Sequence, residues 1–412
     1  MKIEFNKGKV EKEVDNDSEV EVEVEEKPKK EFIRQNDLKK PLLKIAIIIA
    51  AVLGLLLIIL LIASLMTPKT RTFEDIEAIM KQAAMDYYGE RKNYLPTEVG
   101  DVSEVDVSNL VAAGKMKDLS EYTGENVSCS GRVEVEKTED SYVYSPFLDC
   151  GEDYITIEMY KKIESDNEPV TAGYGLYSMN GSYVFRGETV NNYLKLGNTM
   201  WRIVKINNDN TTTLIEADTA QVEMDYISKN FPWDNRFNLE KNSNVGIANF
   251  GPSRIHEFIL RIYDEDYNLT SSDGVKILTK EDKEKLAIHD LCVGKRSSSD
   301  PSKDNTPECK TLLEKKYVGL LTASDYMNAS LDTNCKTTTS SSCQNYNYLN
   351  ISKQWWLMTA STEDTYSAYS VYDGIYARKA SSNAGIRLVV RLKNNVFYKS
   401  GTGTEADPYI VK

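Results

Sequence analysis

The feature that most constrains this chain is residues 45–66, IAIIIAAVLGLLLIILLIASLM, a run of 22 residues without a charge. As a helix rising about 1.5 Å per residue it would be about 33 Å long, enough to cross the hydrocarbon core of a bilayer. A cleaved leader would be shorter, nearer the start and followed by a small-residue cleavage site. The sequence therefore predicts a single membrane span. Lys29, Lys30, Arg34, Lys39, Lys40 and Lys44 precede the run, whereas Lys69 and Arg71 follow it. Basic residues stay on the cytoplasmic side, so the N-terminus is expected inside and residues 67–412 outside the cell, with the lipid bilayer as a partner.

The tail 1–44 alternates Glu and Val over residues 19–25. A lone strand has no partner to pair with, and the density of charge opposes a packed core, so a disordered solvated tail is expected. The formal net charge is −13, and the tail, with 11 basic and 12 acidic residues, contributes almost none of it. An acidic exterior excludes nucleic acid as a partner, since that role needs a basic footprint.

All six cysteines follow the run: Cys129, Cys150, Cys292, Cys309, Cys335 and Cys343. An even number on the exterior side predicts three local disulfides formed in an oxidising compartment. The close C-x-x-C pairs or histidine partners of a zinc site are not present near them, so no metal and no cofactor is expected.

Residues 67–165 read as a juxtamembrane module. Thr72 caps the run FEDIEAIMKQAAMDYYGE, whose Ile76, Ile79, Met80, Ala83, Ala84 and Tyr87 recur at helical spacing. Lateral homo-oligomerisation through this helix is one expectation. A short helix ending at Gly114 follows, then a hairpin turning near Glu139 and Asp140 that brings Cys129 opposite Cys150. A polar linker spans 166–172. Residues 173–412 are strand-rich, with a hairpin signal at Asn180-Gly181 and another at 207–210. The 292–309 segment is too polar to pack. Trp201, Trp355 and Trp356 are expected in the core, and Arg387 and Arg391, four apart on one strand face, are expected to satisfy buried carbonyls or acids.

The order of elements over residues 45–160 resembles a pilin-like (pseudopilin-like) module. Pro41, Leu42 and Leu43 stand where processed pilins carry their cleavage signature, so the resemblance implies an anchored stalk rather than a filament subunit. Over residues 185–412 several spaced motifs agree: Trp201-Arg202-Ile203-Val204, His289-Asp290-Leu291-Cys292, Val318-Gly319-Leu320-Leu321, Trp355-Trp356-Leu357-Met358-Thr359 and Gly385-Ile386-Arg387-Leu388. This set resembles an uncharacterised domain family of bacterial surface proteins related to the formylglycine-generating-enzyme-like branch of the C-type lectin-like fold. The resulting expectation is a single transmembrane helix plus an α+β ectodomain, a pilin-like module followed by a C-type lectin-like module.

No catalytic set is expected. Formylglycine-generating chemistry needs reactive cysteines close together, whereas these bracket polar loops. Neither His256 nor His289 has the spacing of a metal pair, and Trp233-Asp234-Asn235 reverses the order used by calcium-dependent lectins. The candidate ligand-binding residues are Tyr366, Tyr369, Tyr372 and Tyr376, set among Ser, Thr and Asp, together with Trp356 as a stacking platform. The expected function is a membrane-anchored extracellular binding or adhesion protein whose distal module recognises a glycan, peptide or protein. The alternatives are an extracellular enzyme acting on cell-wall material and a structural component of the envelope.

Overall fold

The computed structural model describes residues 49–50, 52–54, 71–124, 127–219, 231–263 and 278–412. The tail 1–44 and most of the 45–66 run lie outside these residues. The chain divides into a unit of residues 1–69 and a unit of residues 70–412.

The expectation of a membrane-spanning helix joined to an α+β ectodomain is corrected. The described chain is mostly strand with a few short helices, and among the described residues no helix is long and apolar enough to cross a membrane. The physical reason lies in the pattern. The longest helix among the described residues, α1 (Phe73–Glu90), has one apolar stripe and a charged opposite face, so it packs against a sheet. Elsewhere, short alternating runs broken by Asn-Gly and Asp-Gly turns favour strands.

In the 70–412 unit, α1 is capped by the Thr72 hydroxyl, which accepts from the Asp75 N–H at 3.1 Å. It is followed by β1 (Val102–Asp106), α2 (Val107–Ala112), α3 (Ser120–Thr123), β2 (Ser130–Lys137) and β3 (Tyr142–Asp149). These strands form an antiparallel sheet in the order β1-β2-β3. Ile76, Met80, Ala83 and Ala84 of α1 lie over Val105, Val133, Val135 and Leu148 as a small core of their own. The stripe offered for lateral association is thus buried against the protein's own sheet.

Next come α4 (Met159–Asp166), β4 (Gly175–Met179), β5 (Ser182–Arg186), β6 (Tyr193–Leu196), β7 (Thr199–Ile206), β8 (Thr212–Glu216), β9 (Phe231–Pro232), α5 (Arg254–Tyr263) and α6 (Lys280–Glu284). The chain continues through β10 (His289–Cys292), β11 (Lys295–Arg296), β12 (Leu312–Lys316), β13 (Val318–Gly319) and α7 (Ala323–Ala329). It ends with β14 (Trp355–Ser361), β15 (Ser367–Val371), β16 (Ile375–Lys379), β17 (Asn383–Ala384), β18 (Val389–Leu392), β19 (Tyr398–Ser400) and β20 (Tyr409–Val411). The main sheet runs β13-β18-β8-β7-β6-β20-β19, with the β4-β5 hairpin joined to β7. A second sheet runs β11-β14-β15-β16. Asn180 and Gly181 both take positive φ at the β4-β5 turn, the conformation that an Asn-Gly pair supplies at little cost. Trp201, Trp233, Trp355 and Trp356 all lie in the larger core.

The two cores are laced together by backbone. Ile155 bridges to Asp149, Glu158 bridges to Phe397, and the Lys412 N–H donates to the Phe397 carbonyl at 2.9 Å. Met159 and Ile163 of α4 already belong to the larger core.

All three expected disulfides are present: Cys129–Cys150, Cys292–Cys309 and Cys335–Cys343. One expectation within them is corrected. The 292–309 segment is not too polar to pack, because Arg296 and Glu308 are both fully buried and face each other at 3.4 Å. Glu308 also accepts from the Ser324 hydroxyl and N–H, and Arg296 donates to the Asp300 and Ser302 carbonyls. Polar residues enter this core because each charge has its partners there.

Candidate functional site

The five residues proposed for ligand contact are divided by the fold. Trp356 is 0 % exposed and its indole N–H donates to the Phe231 carbonyl at 2.7 Å. Tyr369 is 1 % exposed and its hydroxyl donates to the Arg296 carbonyl at 3.2 Å. Neither ring is offered to solvent. Strand pairing explains this, since every residue of β14 and β15 is buried. Tyr366 is half-buried, with the Lys241 ammonium 5.0 Å from its ring centre.

Tyr372 and Tyr376 are different. They flank the β15-β16 turn, where Asp373 and Gly374 both have positive φ, and they are 49 % and 48 % exposed. The Tyr376 hydroxyl donates to the Asp373 carbonyl at 3.1 Å, which ties that side chain to the turn. On one side the hairpin is anchored by β15, which is buried throughout and paired to the buried β14, whereas β16, which carries Tyr376, is the exposed outer strand of that sheet. Rigid aromatic rings give contact area at a small cost in conformational entropy.

The histidines are built into the structure. The His256 Nδ1 lies 2.6 Å from the Gly251 carbonyl. Burial, reinforced by Arg391, pushes His289 down to about 4, so it is neutral at ordinary pH. His289 lines a small cavity of about 40 Å³ with Lys205, Thr322, Asp325 and Arg391 on its polar side and Leu320 and Met358 among its apolar walls. Burial alone would raise the Asp325 carboxyl. The Lys205 ammonium at 2.7 Å and hydrogen bonds from Asn305 and Thr322 more than offset this and hold it below the usual range.

Arg387 does satisfy carbonyls, donating to those of Glu216, Leu349 and Ala217. Burial pushes the adjacent Glu216 carboxyl up to about 8, against the opposing pull of the Leu388 N–H and of Arg387.

Sequence reasoning missed the seam between the two cores, where a cavity of about 470 Å³ lies between α1 and β3 on one side and residues 393–397 on the other. Its only sequence signal is indirect: β3 carries Pro146, a residue at home on the edge of a sheet. No protein-family model, curated protein or solved structure matches this chain.

Proposed function

We propose that this chain is an extracytoplasmic binding protein that recognises a glycan or protein surface through the β15-β16 hairpin. The observation that carries this reading is the pair Tyr372 and Tyr376, exposed at a tight Asp-Gly turn between the buried strand β15 and the exposed strand β16. The three disulfides support an oxidising compartment as its place of work. Tyrosine supplies an apolar face for stacking on a sugar ring or a partner's side chain and a hydroxyl for orientation.

An enzymatic reading finds less support. Glu216, the carboxyl pushed up to about 8, is buried, gives one oxygen to the Leu388 N–H, and lines none of the cavities described above.

The test is to probe glycan and protein arrays with the full chain and with the Tyr372→Ala/Tyr376→Ala variant. Signals that the double variant loses support the hairpin as the contact. Signals that it retains in full, or none above background, overturn the reading.

A further inference from the structure

The sheet order β1-β2-β3 leaves β3 at an edge. Its C-terminal end is covered, since the Thr156 N–H donates to the Leu148 carbonyl at 2.8 Å and Ile155 bridges to Asp149. The connecting strand then turns away to pair with Phe397. Residues 142–145 are bonded to β2, and among the described residues their backbone has no partner beyond that ladder and the hairpin turn. An open edge presents unpaired N–H and C=O groups, ready to accept another strand.

That edge borders the cavity of about 470 Å³. The opposite wall is one face of α1, carrying Glu74, Glu77, Ala78 and Lys81 at helical spacing. Pro146, Val396 and Phe397 supply apolar surface. A groove between a helix and an edge strand is a recurring way to hold an extended peptide, with backbone bonds giving affinity and alternate side chains giving specificity. We infer that this groove is a docking slot for an extended peptide, which adds to the small sheet as a fourth strand beside residues 142–145.

The charges bear on the occupant. Glu77 and Lys412 neutralise each other at 2.8 Å. The remaining lining groups are Lys81, Lys285 and Lys393 against Glu74 and Glu284, a balance of one positive charge. That excess favours acidic side chains on the peptide, and its extended conformation favours β-branched residues at the alternating positions. Four edge residues span about 14 Å, room for four or five peptide residues. The slot involves none of the hairpin tyrosines and does not depend on their role.

The test measures fluorescence anisotropy of labelled seven-residue peptides added to the full chain. One probe alternates valine and glutamate, a second replaces glutamate with lysine, and a third is the first with alternate backbone nitrogens methylated. Saturable binding of the first is expected, with at least about tenfold weaker binding of the other two. Lys81→Glu/Lys285→Glu is expected to weaken the first probe about tenfold with Tm unchanged, since neither side chain is buried. Tyr372→Ala/Tyr376→Ala is expected to leave peptide binding intact. Equal binding of the methylated peptide, an unchanged affinity in the lysine variant, or no saturable binding of the valine–glutamate peptide overturns the inference.

Discussion

The Lys412 ammonium lies 2.8 Å from both carboxylate oxygens of Glu77, a residue 335 positions earlier in the chain. The pair sits at the seam of the two cores, shielded from solvent, and the Tyr154 and Thr156 hydroxyls also hydrogen-bond to the Glu77 carboxylate. Lys412→Met leaves Glu77 without its counter-charge, and removing one member of a shielded pair costs about 3 kcal/mol. Urea unfolding is expected to show that loss, with Glu77→Gln/Lys412→Met recovering part of it. Additive losses in the double variant would mean that the two groups act independently.

Glu216 gives the protein a pH dependence of definite sign. Below its ordinary value of 4.5 the carboxyl is protonated in both states, and the stability of the buried neutral form is fully present. Between about 4.5 and about 8 only the unfolded chain ionises, so stability falls by about 1.4 kcal/mol per pH unit through this group. Above about 8 the fall ends. Glu216→Gln is expected to flatten that slope in chemical unfolding curves taken from pH 5 to 8.

His289 acts in the opposite direction. It is held near 4 in the fold against an ordinary 6.5, so its contribution is present above 6.5 and is lost as pH falls toward 4. His289→Gln should reduce the acid sensitivity of stability below pH 6.5. An NMR titration placing the imidazole near 6.5 in the folded protein would contradict this assignment.

The Arg296–Glu308 pair is the most deeply buried of the ion pairs described above. Glu308→Ala leaves a fully buried guanidinium whose remaining charged partner is the more distant Asp300 carboxylate at 3.8 Å, and it is expected to cost about 4 kcal/mol. By contrast, opening the Cys292–Cys309 bridge with paired serines is expected to cost about 3 kcal/mol, mainly through the unfolded chain. Thermal unfolding of both variants, each compared with the parent, checks the order.

Several of these features could be read in the sequence. The Asn180-Gly181 hairpin, the Cys129–Cys150 staple and the core position of Trp201 each follow from a local rule, and the structure contains all three. The site residues were harder. Tyr369 and Tyr372 are both tyrosines in one polar stretch, yet one lies inside and the other outside. The alternation of a strand and the turn at Asp373-Gly374 decide that, and a compositional reading averages over both. Arg296 looked like a surface residue because its partner Glu308 is twelve positions away, across a disulfide loop. The seam was hidden because it depends on residues 77, 146, 397 and 412 meeting, a fact of topology rather than of pattern.

The lacing of residues 155–158 between β3 and Phe397 has a mechanical consequence. Because Phe397 is in turn bonded to Lys412, a pull on β3 is carried through successive backbone bonds to the residue that follows the last strand of the main sheet. The small sheet and the main sheet are thus joined at their seam by main-chain bonds as well as by the covalent chain, within the one unit of residues 70–412.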